Sequence, residues 1–225
     1  LDVWDDHALP GHSVAFIPAR QPGQAGEGFL VAVRRSMQYV VTDWGSSDTT
    51  LWVRIQFLDG SRLVVGACYI PPQGSPQLQH NDLNARMVTL SSDVLAATHE
   101  GYVLIGGDFN ARVGSYGECF PEGLGMRGWT DATINGHGRR LLHLCNRTGL
   151  MLCTGRALGD TMGEPTYRAT CRSAATRPDH FLVSPSLLPH VCSSSVIQDW
   201  EGSDHLPIQL HIHMPTTFRE VEACT

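Results

Sequence analysis

Two short segments hold most of the side chains that can do chemistry. Val103-Leu104-Ile105-Gly106-Gly107-Asp108-Phe109-Asn110-Ala111 places a carboxylate and an amide just past an apolar strand signal and a small Gly-Gly turn. Gly202-Ser203-Asp204-His205-Leu206-Pro207 places a hydroxyl, a carboxylate and an imidazole just ahead of another strand. Carboxylates bind a divalent cation or take a proton from water, an amide holds a phosphate oxygen, and an imidazole serves as acid or base. Together they are the groups that metal-assisted cleavage of a phosphodiester requires. Strand alternation predicts that Asp108 and Asn110 point to the same side. Pro178-Asp179-His180-Phe181 opens a further strand with an acid, and a carboxylate there would orient His205 and favour its protonated form. Tyr69 ends a strand just before Pro71, where its phenol would reach a phosphate.

Each of these residues also has a plainer reading. Gly-Asp-x-Asn is a common turn that satisfies its own backbone, Asp204 can cap nearby amides, and a strand-end Asp179 can simply face water. Tyr69 can be an aromatic with one wet end. Their coincidence in one chain carries the functional reading. Rival chemistries lose support on inspection. Gly106-Gly107 precedes an acid and not a Lys-Ser/Thr pair, so a phosphate-cradling nucleotide loop is excluded. There is no Gly-x-Ser-x-Gly elbow for a serine hydrolase. His211 and His213 share one face of a strand whose pattern makes that face wet, and Cys145 falls on the apolar face of a helix.

The elements that must position these groups follow from periodicity. Branched and aromatic runs predict strands at His12–Ile17, Gly28–Val33, Gln38–Thr42, Thr50–Phe57 and Arg62–Tyr69, with turns at Pro22-Gly23 and Asp59-Gly60. Pro71 to Pro76 breaks the sheet. Leu83, Met87, Leu90, Val94 and Leu95 predict an amphipathic helix over 78–99. Val103–Ile105 reads as a short buried strand, and 112–135 as an irregular, Gly-rich functional loop. Asn135-Gly136 precedes a helix with Leu141, Leu142 and Cys145 on one face. Strands are predicted at 150–153, 165–168, 179–183 and 206–213, and 215–225 reads as a tail or linker. Strands early and helices between later strands fit two packed sheets flanked by helices, an α+β class, rather than a doubly wound parallel sheet.

Composition bounds the rest. The 225 residues, 42% of them hydrophobic, suffice for one domain over 1–214. With 16 basic and 22 acidic residues the net charge is −6, which excludes a module that coats nucleic acid by charge alone but allows a local basic rim beside a metal. All the basic residues are Arg. The seven Cys contain no CxxC pair, which argues against a zinc site or a disulfide framework and for reduced thiols in an intracellular, nuclear protein. No apolar run is long enough to span a membrane.

Taken in order, Ala67-Cys68-Tyr69-Ile70-Pro71-Pro72, Gly107-Asp108-Phe109-Asn110-Ala111, Pro178-Asp179-His180-Phe181 and Gly202-Ser203-Asp204-His205-Leu206-Pro207 resemble the motifs of the endonuclease/exonuclease/phosphatase superfamily. Asn135-Gly136 with Arg139 to Cys145, Leu150 to Thr154, and Glu164-Pro165-Thr166-Tyr167 are similar to stretches of the endonuclease domain of non-LTR (LINE-type) retrotransposons. The resemblance runs from about Gly11 to Met214. It implies a four-layer α/β/β/α sandwich of the DNase I-like kind and Mg²⁺-dependent nicking of DNA, with Mn²⁺ as a substitute ion, to prime reverse transcription. Asp108 would then prepare the attacking water, with Asn110 and Tyr69 holding the phosphate. Asp204 would assist metal binding, and His205, paired with Asp179, would stabilise charge on the phosphoryl oxygens. Thr166 and Ser203 would line the DNA face. The implied partners are DNA and a covalently linked reverse transcriptase domain, with the domain itself a monomer.

The departures from that pattern set further expectations. The family places an Asn on its first strand and a metal-binding Glu, in a Gln-Glu-Thr context, at the end of its second; neither is in this sequence, and Leu1 stands only a few residues beyond where that Glu would fall. The expectation is an N-terminally truncated domain, missing its first strands, that binds Mg²⁺ weakly and has little activity. Ile-Asp-Tyr is replaced by Pro178-Asp179-His180. Two alternatives stand beside the endonuclease: an inert or DNA-binding-only remnant, and an abasic-site repair enzyme or other phosphoesterase.

Overall fold

The structure, a computed structural model, describes residues 2–4, 9–17, 28–36, 38–47, 49–75, 78, 82–118, 127–168 and 175–214. The turn expected at Pro22-Gly23, the middle of the Gly-rich loop and the tail from 215 lie outside the described residues.

Three antiparallel strands, β1 (Asp2–Trp4), β2 (His12–Ile17) and β3 (Phe29–Arg34), form one small sheet in that order. The main sheet has six strands. β4 (Tyr39–Ser46), β5 (Thr50–Phe57) and β6 (Arg62–Tyr69) form an antiparallel meander. Helix α1 (Asp82–Glu100) then crosses over to β7 (Tyr102–Asp108), which runs parallel to β6. Helix α2 (Gly136–Thr148) leads to β8 (Met151–Leu152) and β9 (Asp179–Val183), giving the order β4-β5-β6-β7-β9-β8. A two-stranded ladder of β10 (Val191–Val196) and β11 (Ile208–Ile212) completes the described elements.

Alternation along the central strands builds a core on each face of the main sheet. Val103 and Ile105 of β7, Val64 and Cys68 of β6 and Leu182 of β9 face α1 and α2. Tyr102, Leu104, Leu63, Val65, Phe181 and Val183 face the other way, toward Val191, Leu210 and Ile212 of the ladder. Helices, main sheet and second β layer are therefore stacked, as the α+β expectation requires. Both helices lie in the first of these layers. Each is held by an apolar stripe: Leu83, Met87, Leu90, Val94 and Ala97 on α1, and Leu141, Leu142, Leu144 and Cys145 on α2. Gly149, left-handed at φ 78°, ends α2 with its N–H on Cys145 O.

The structure corrects several sequence expectations. Leu95 is exposed and Ala97 takes its place in the stripe. Residues 165–168 form no strand; Tyr167 alone bridges, to Thr176 and to His205. β10 was not expected because Cys-Ser-Ser-Ser has little strand propensity, and it extends only because β11 pairs with it. The Gly106-Gly107 turn is instead strand, since β6 and β9 pair with β7 on both sides as far as Asp108.

That last correction matters most, because it carries Asp108 into register with its neighbours. Gly107 has φ 147°, and a Cβ there would lie 1.9 Å from Cys68 O. Gly107→Ala should therefore part β6 from β7 just where the site begins. The expected loss is on the order of 1–3 kcal/mol in denaturant unfolding, together with loss of divalent-ion stabilisation. A variant as stable as the parent contradicts this packing.

Candidate active site

Register across three strands builds the site. Tyr69 on β6 is paired with Asp108 on β7, and Asp108 with Asp179 on β9, so the three side chains start from one transverse row at the strand ends. Ile70 N–H to Asp108 O (2.9 Å) and Phe109 N–H to Pro178 O (3.2 Å) continue the ladder one step beyond. Phe109 is fully buried below and anchors the turn.

Asn110 shares the cleft with Asp108 for a different reason than strand alternation. It adopts the left-handed conformation, φ 48°, which Asn tolerates better than most residues. Its backbone N–H donates to Asp108 Oδ1 (2.8 Å), and its Nδ2 donates to Asp108 Oδ2 (3.0 Å) and to Ile70 O (2.9 Å). Both partners of Nδ2 are acceptors, which fixes the orientation of the amide. Its two amide hydrogens are thus committed, and Oδ1, an acceptor, is the side-chain atom outside these bonds. An acceptor suits the proton of a water rather than a phosphate oxygen.

Asp179 is held from three sides. Thr166 Oγ1 donates to Oδ2 at 2.5 Å, His205 Nδ1 lies 3.0 Å from Oδ2 and 3.2 Å from Oδ1, and buried Arg177 grips the backbone by an Nε–H bond to Asp179 O (2.9 Å). Arg177 is itself anchored on buried Asp160 at 2.8 Å. Thr166 is fully buried, so its hydroxyl orients Asp179 and does not line an open DNA face as expected. Tyr167 packs its ring 5.0 Å from the His205 imidazole. Ser203 is exposed; its Oγ accepts the His205 N–H (3.1 Å) and sits 3.4 Å from Asp204 Oδ1, shaping the turn into β11.

Ligand atoms of Asp108, Asp179 and His205 lie within 4.8 Å of one another. Asp204, the residue expected to hold the metal, is exposed and outside this cluster; Asp179 supplies the second carboxylate. Among the described residues no Glu joins the cluster.

Burial raises the Asp108 pKa to about 6, and the neighbouring Asp179 charge adds to the rise; Asn110 and His205 oppose it. The His205 pKa is raised, chiefly by its hydrogen bond to Asp179, against the effect of burial. Two carboxylates this close, one of them hard to ionise, fit a hard divalent cation through their oxygen donors. His180 is different. It is fully buried, with a pKa pushed down to about 3 by burial, so it is neutral: Nε2–H donates to Ala111 O (2.7 Å) and Nδ1 accepts from Thr154 Oγ1 (2.9 Å). His180, Arg177 and Thr154 support the site without belonging to any of the motifs' catalytic positions; polar residues next to the motif acid are the signal in the sequence that points to them. Among the described cysteines none is paired, and Cys68, Cys145 and Cys153 are buried.

The sequence matches the Endonuclease/Exonuclease/phosphatase family over residues 2–205, and the chain belongs to that family of enzymes. Its fold is DNase I-like. Among solved structures it is similar to the endonuclease domain of TRAS1, a telomere-specific non-LTR retrotransposon (TM-score 0.64, 15% identity, covering 93% of this chain and 84% of that one). It is equally similar to the AP endonuclease LMAP from Leishmania major (TM-score 0.64, 18% identity, 92% and 72%). A third is the 3' phosphatase NExo from Neisseria bound to product DNA hairpin (TM-score 0.63, 18% identity, 94% and 86%). No curated protein sequence matches it. No described helix is long and apolar enough to cross a membrane.

Two outcomes follow from the electrostatics. Asp108 has a folded-state pKa above its unfolded value, so its ionisation costs the metal-free fold nothing below about 3.8 and its full penalty above about 6. A bound cation relieves that penalty. Saturating Mg²⁺ should therefore raise Tm clearly at ~pH 8, little at ~pH 5, and not at all in Asp108→Ala; a pH-independent gain contradicts the site. For His205 the raised pKa means its pairing stabilises the fold below about 6.5 and is lost as pH rises through the folded value. Asp179→Asn should lower that pKa, read by NMR of the ring; an unmoved titration disproves the pairing.

Proposed function

We propose that this chain is a divalent-metal-dependent phosphodiesterase that nicks DNA, of the type found in retrotransposon endonuclease domains. The observation that carries the reading is the transverse row of Tyr69, Asp108 and Asp179, closed by His205. Asp108 and Asp179 would hold a Mg²⁺ ion, with Mn²⁺ as a substitute. When bound, such an ion polarises the phosphoryl oxygen and neutralises charge there.

The chain's own residues divide the remaining work. Asp108 takes the proton of the attacking water, which Asn110 Oδ1 orients. The Tyr69 phenol donates to a phosphate oxygen. His205, kept cationic by Asp179, stabilises the negative charge that develops on the phosphoryl group as the water oxygen bonds to phosphorus and the P–O bond breaks. Asp179 orients the imidazole, as carboxylates do for catalytic histidines. Lacking a Glu in the described cluster, the site is expected to bind Mg²⁺ weakly and to work slowly. DNA is the partner on this reading, a linked reverse transcriptase domain would use the nick, and the nucleus is where the two would meet.

The abasic-site reading has one specific support: the likeness to the Leishmania repair enzyme equals that to the retrotransposon domain in TM-score. The plasmid assay separates the readings. The chain should convert supercoiled DNA to open circles slowly, in proportion to Mg²⁺ added, with Asp108→Ala lower by ~100-fold or more. Cleavage confined to an abasic duplex supports the repair enzyme instead. Absence of nicking at any Mg²⁺ concentration makes the chain an inert or DNA-binding-only remnant.

A further inference from the structure

The first turn of α2 touches both loops that carry the candidate site. Asn135, its N-cap, accepts the Gly138 N–H on Oδ1 (2.7 Å), as an ordinary cap does. Its remaining bonds leave the helix. The same Oδ1 accepts Arg112 N–H (3.1 Å), Nδ2 donates to Asn110 O (2.9 Å), and the Asn135 N–H donates to Arg112 O (3.0 Å). Gly138 lets the helix come this close, since a Cβ there would lie 1.9 Å from Arg112 O. One residue earlier, His137 reaches the other loop: Nε2–H donates to Pro71 O at 3.0 Å. Its side chain is buried and burial lowers its pKa, so the ring is neutral with the proton on Nε2. Asn110 Nδ2 to Ile70 O then ties the two loops directly.

We infer that Asn135-Gly136-His137-Gly138 is a clip that fixes the loop after β6, which follows Tyr69, against the loop after β7, which carries Asp108 and Asn110, and that Asn135 and His137 are positioning residues for the reaction. The plain alternative is a helix cap. A cap needs only an acceptor, which Ser, Thr and Asp supply as well as Asn. The bond to Asn110 O needs a donor on the same short side chain as that acceptor, and Asn alone provides both at this reach. Asn110 is the residue in left-handed conformation, so the clip holds the strained peptide whose side chain satisfies both oxygens of Asp108. The inference rests on the function proposed above for its catalytic consequence, but its structural content stands apart from it.

Asn135→Ser separates the two roles, because it keeps a cap and loses the reach. The experiment measures amide exchange in peptides covering 69–73 and 109–113, with plasmid nicking in parallel, for the full chain and for Asn135→Ser, His137→Gln and His137→Phe. Expected for Asn135→Ser is a Tm within a few degrees of the parent, exchange at 109–113 faster by ~10-fold or more, and kcat lower by roughly 10- to 100-fold at a KM within about 2-fold. His137→Phe should loosen 69–73, and His137→Gln, which keeps a donor, should restore protection and rate. If His137→Phe unfolds, Asn135→Ser decides. Unchanged exchange at 109–113 in Asn135→Ser overturns the clip, and faster exchange with unchanged kcat overturns the positioning role. A parent chain that does not nick removes the proposed function, and the exchange data then decide the clip alone.

Discussion

The lateral register of β6, β7 and β9 is the constraint on which the site depends. Tyr69, Asp108 and Asp179 come from segments far apart in sequence, and only strand pairing brings them into line. A slip of one residue would turn Asp108 toward the opposite face of the sheet and bring Gly107 into the row. Two contacts resist such a slip. Gly107 lies against Cys68 O without room for a side chain, and a Cβ at Gly106 would meet the Phe181 ring at 2.6 Å. The glycines before the acid are therefore packing requirements of the central strand.

The same row concentrates charge. Asp108 is partly buried beside a second carboxylate, and its pKa of about 6 reports how poorly the protein alone compensates it. Asp179 is satisfied by Thr166, His205 and the Arg177 grip on its backbone. Asp108 is hydrogen-bonded by the neutral Asn110, and His205 offsets only part of the rise that burial and Asp179 impose. That asymmetry separates the two acids: Asp179 is fixed against the imidazole, and Asp108 is left with the raised pKa.

Much of this was legible in the sequence. β2, β5, β6 and β9 lie where alternating branched and aromatic residues put them; Asp108, Asp179 and His205 come together as expected, with Tyr69 in register beside Asp108. The misses have physical causes. Gly106-Gly107 reads locally as a turn, but pairing on both edges overrides local preference. The Ser-rich β10 has no signal of its own. The roles of Thr166 and Asp204 are ones the family resemblance implies, whereas burial and side-chain direction, which a motif does not encode, turn one inward and leave the other outside the cluster.

The buried polar groups behind the row complete the picture. Neutral His180 holds Ala111 O, and Arg177 joins Asp179 to Asp160, so the turn and the acid are braced from the protein interior. A rigid, oxygen-rich pocket so built should take one hard cation. The most direct measurement is the anomalous scattering of a crystal equilibrated with Mn²⁺. The account predicts a single peak at the cluster of Asp108, Asp179 and His205, with Asp108 among the residues that hold the ion. A peak away from Asp108, or no peak at saturating ion, would contradict it.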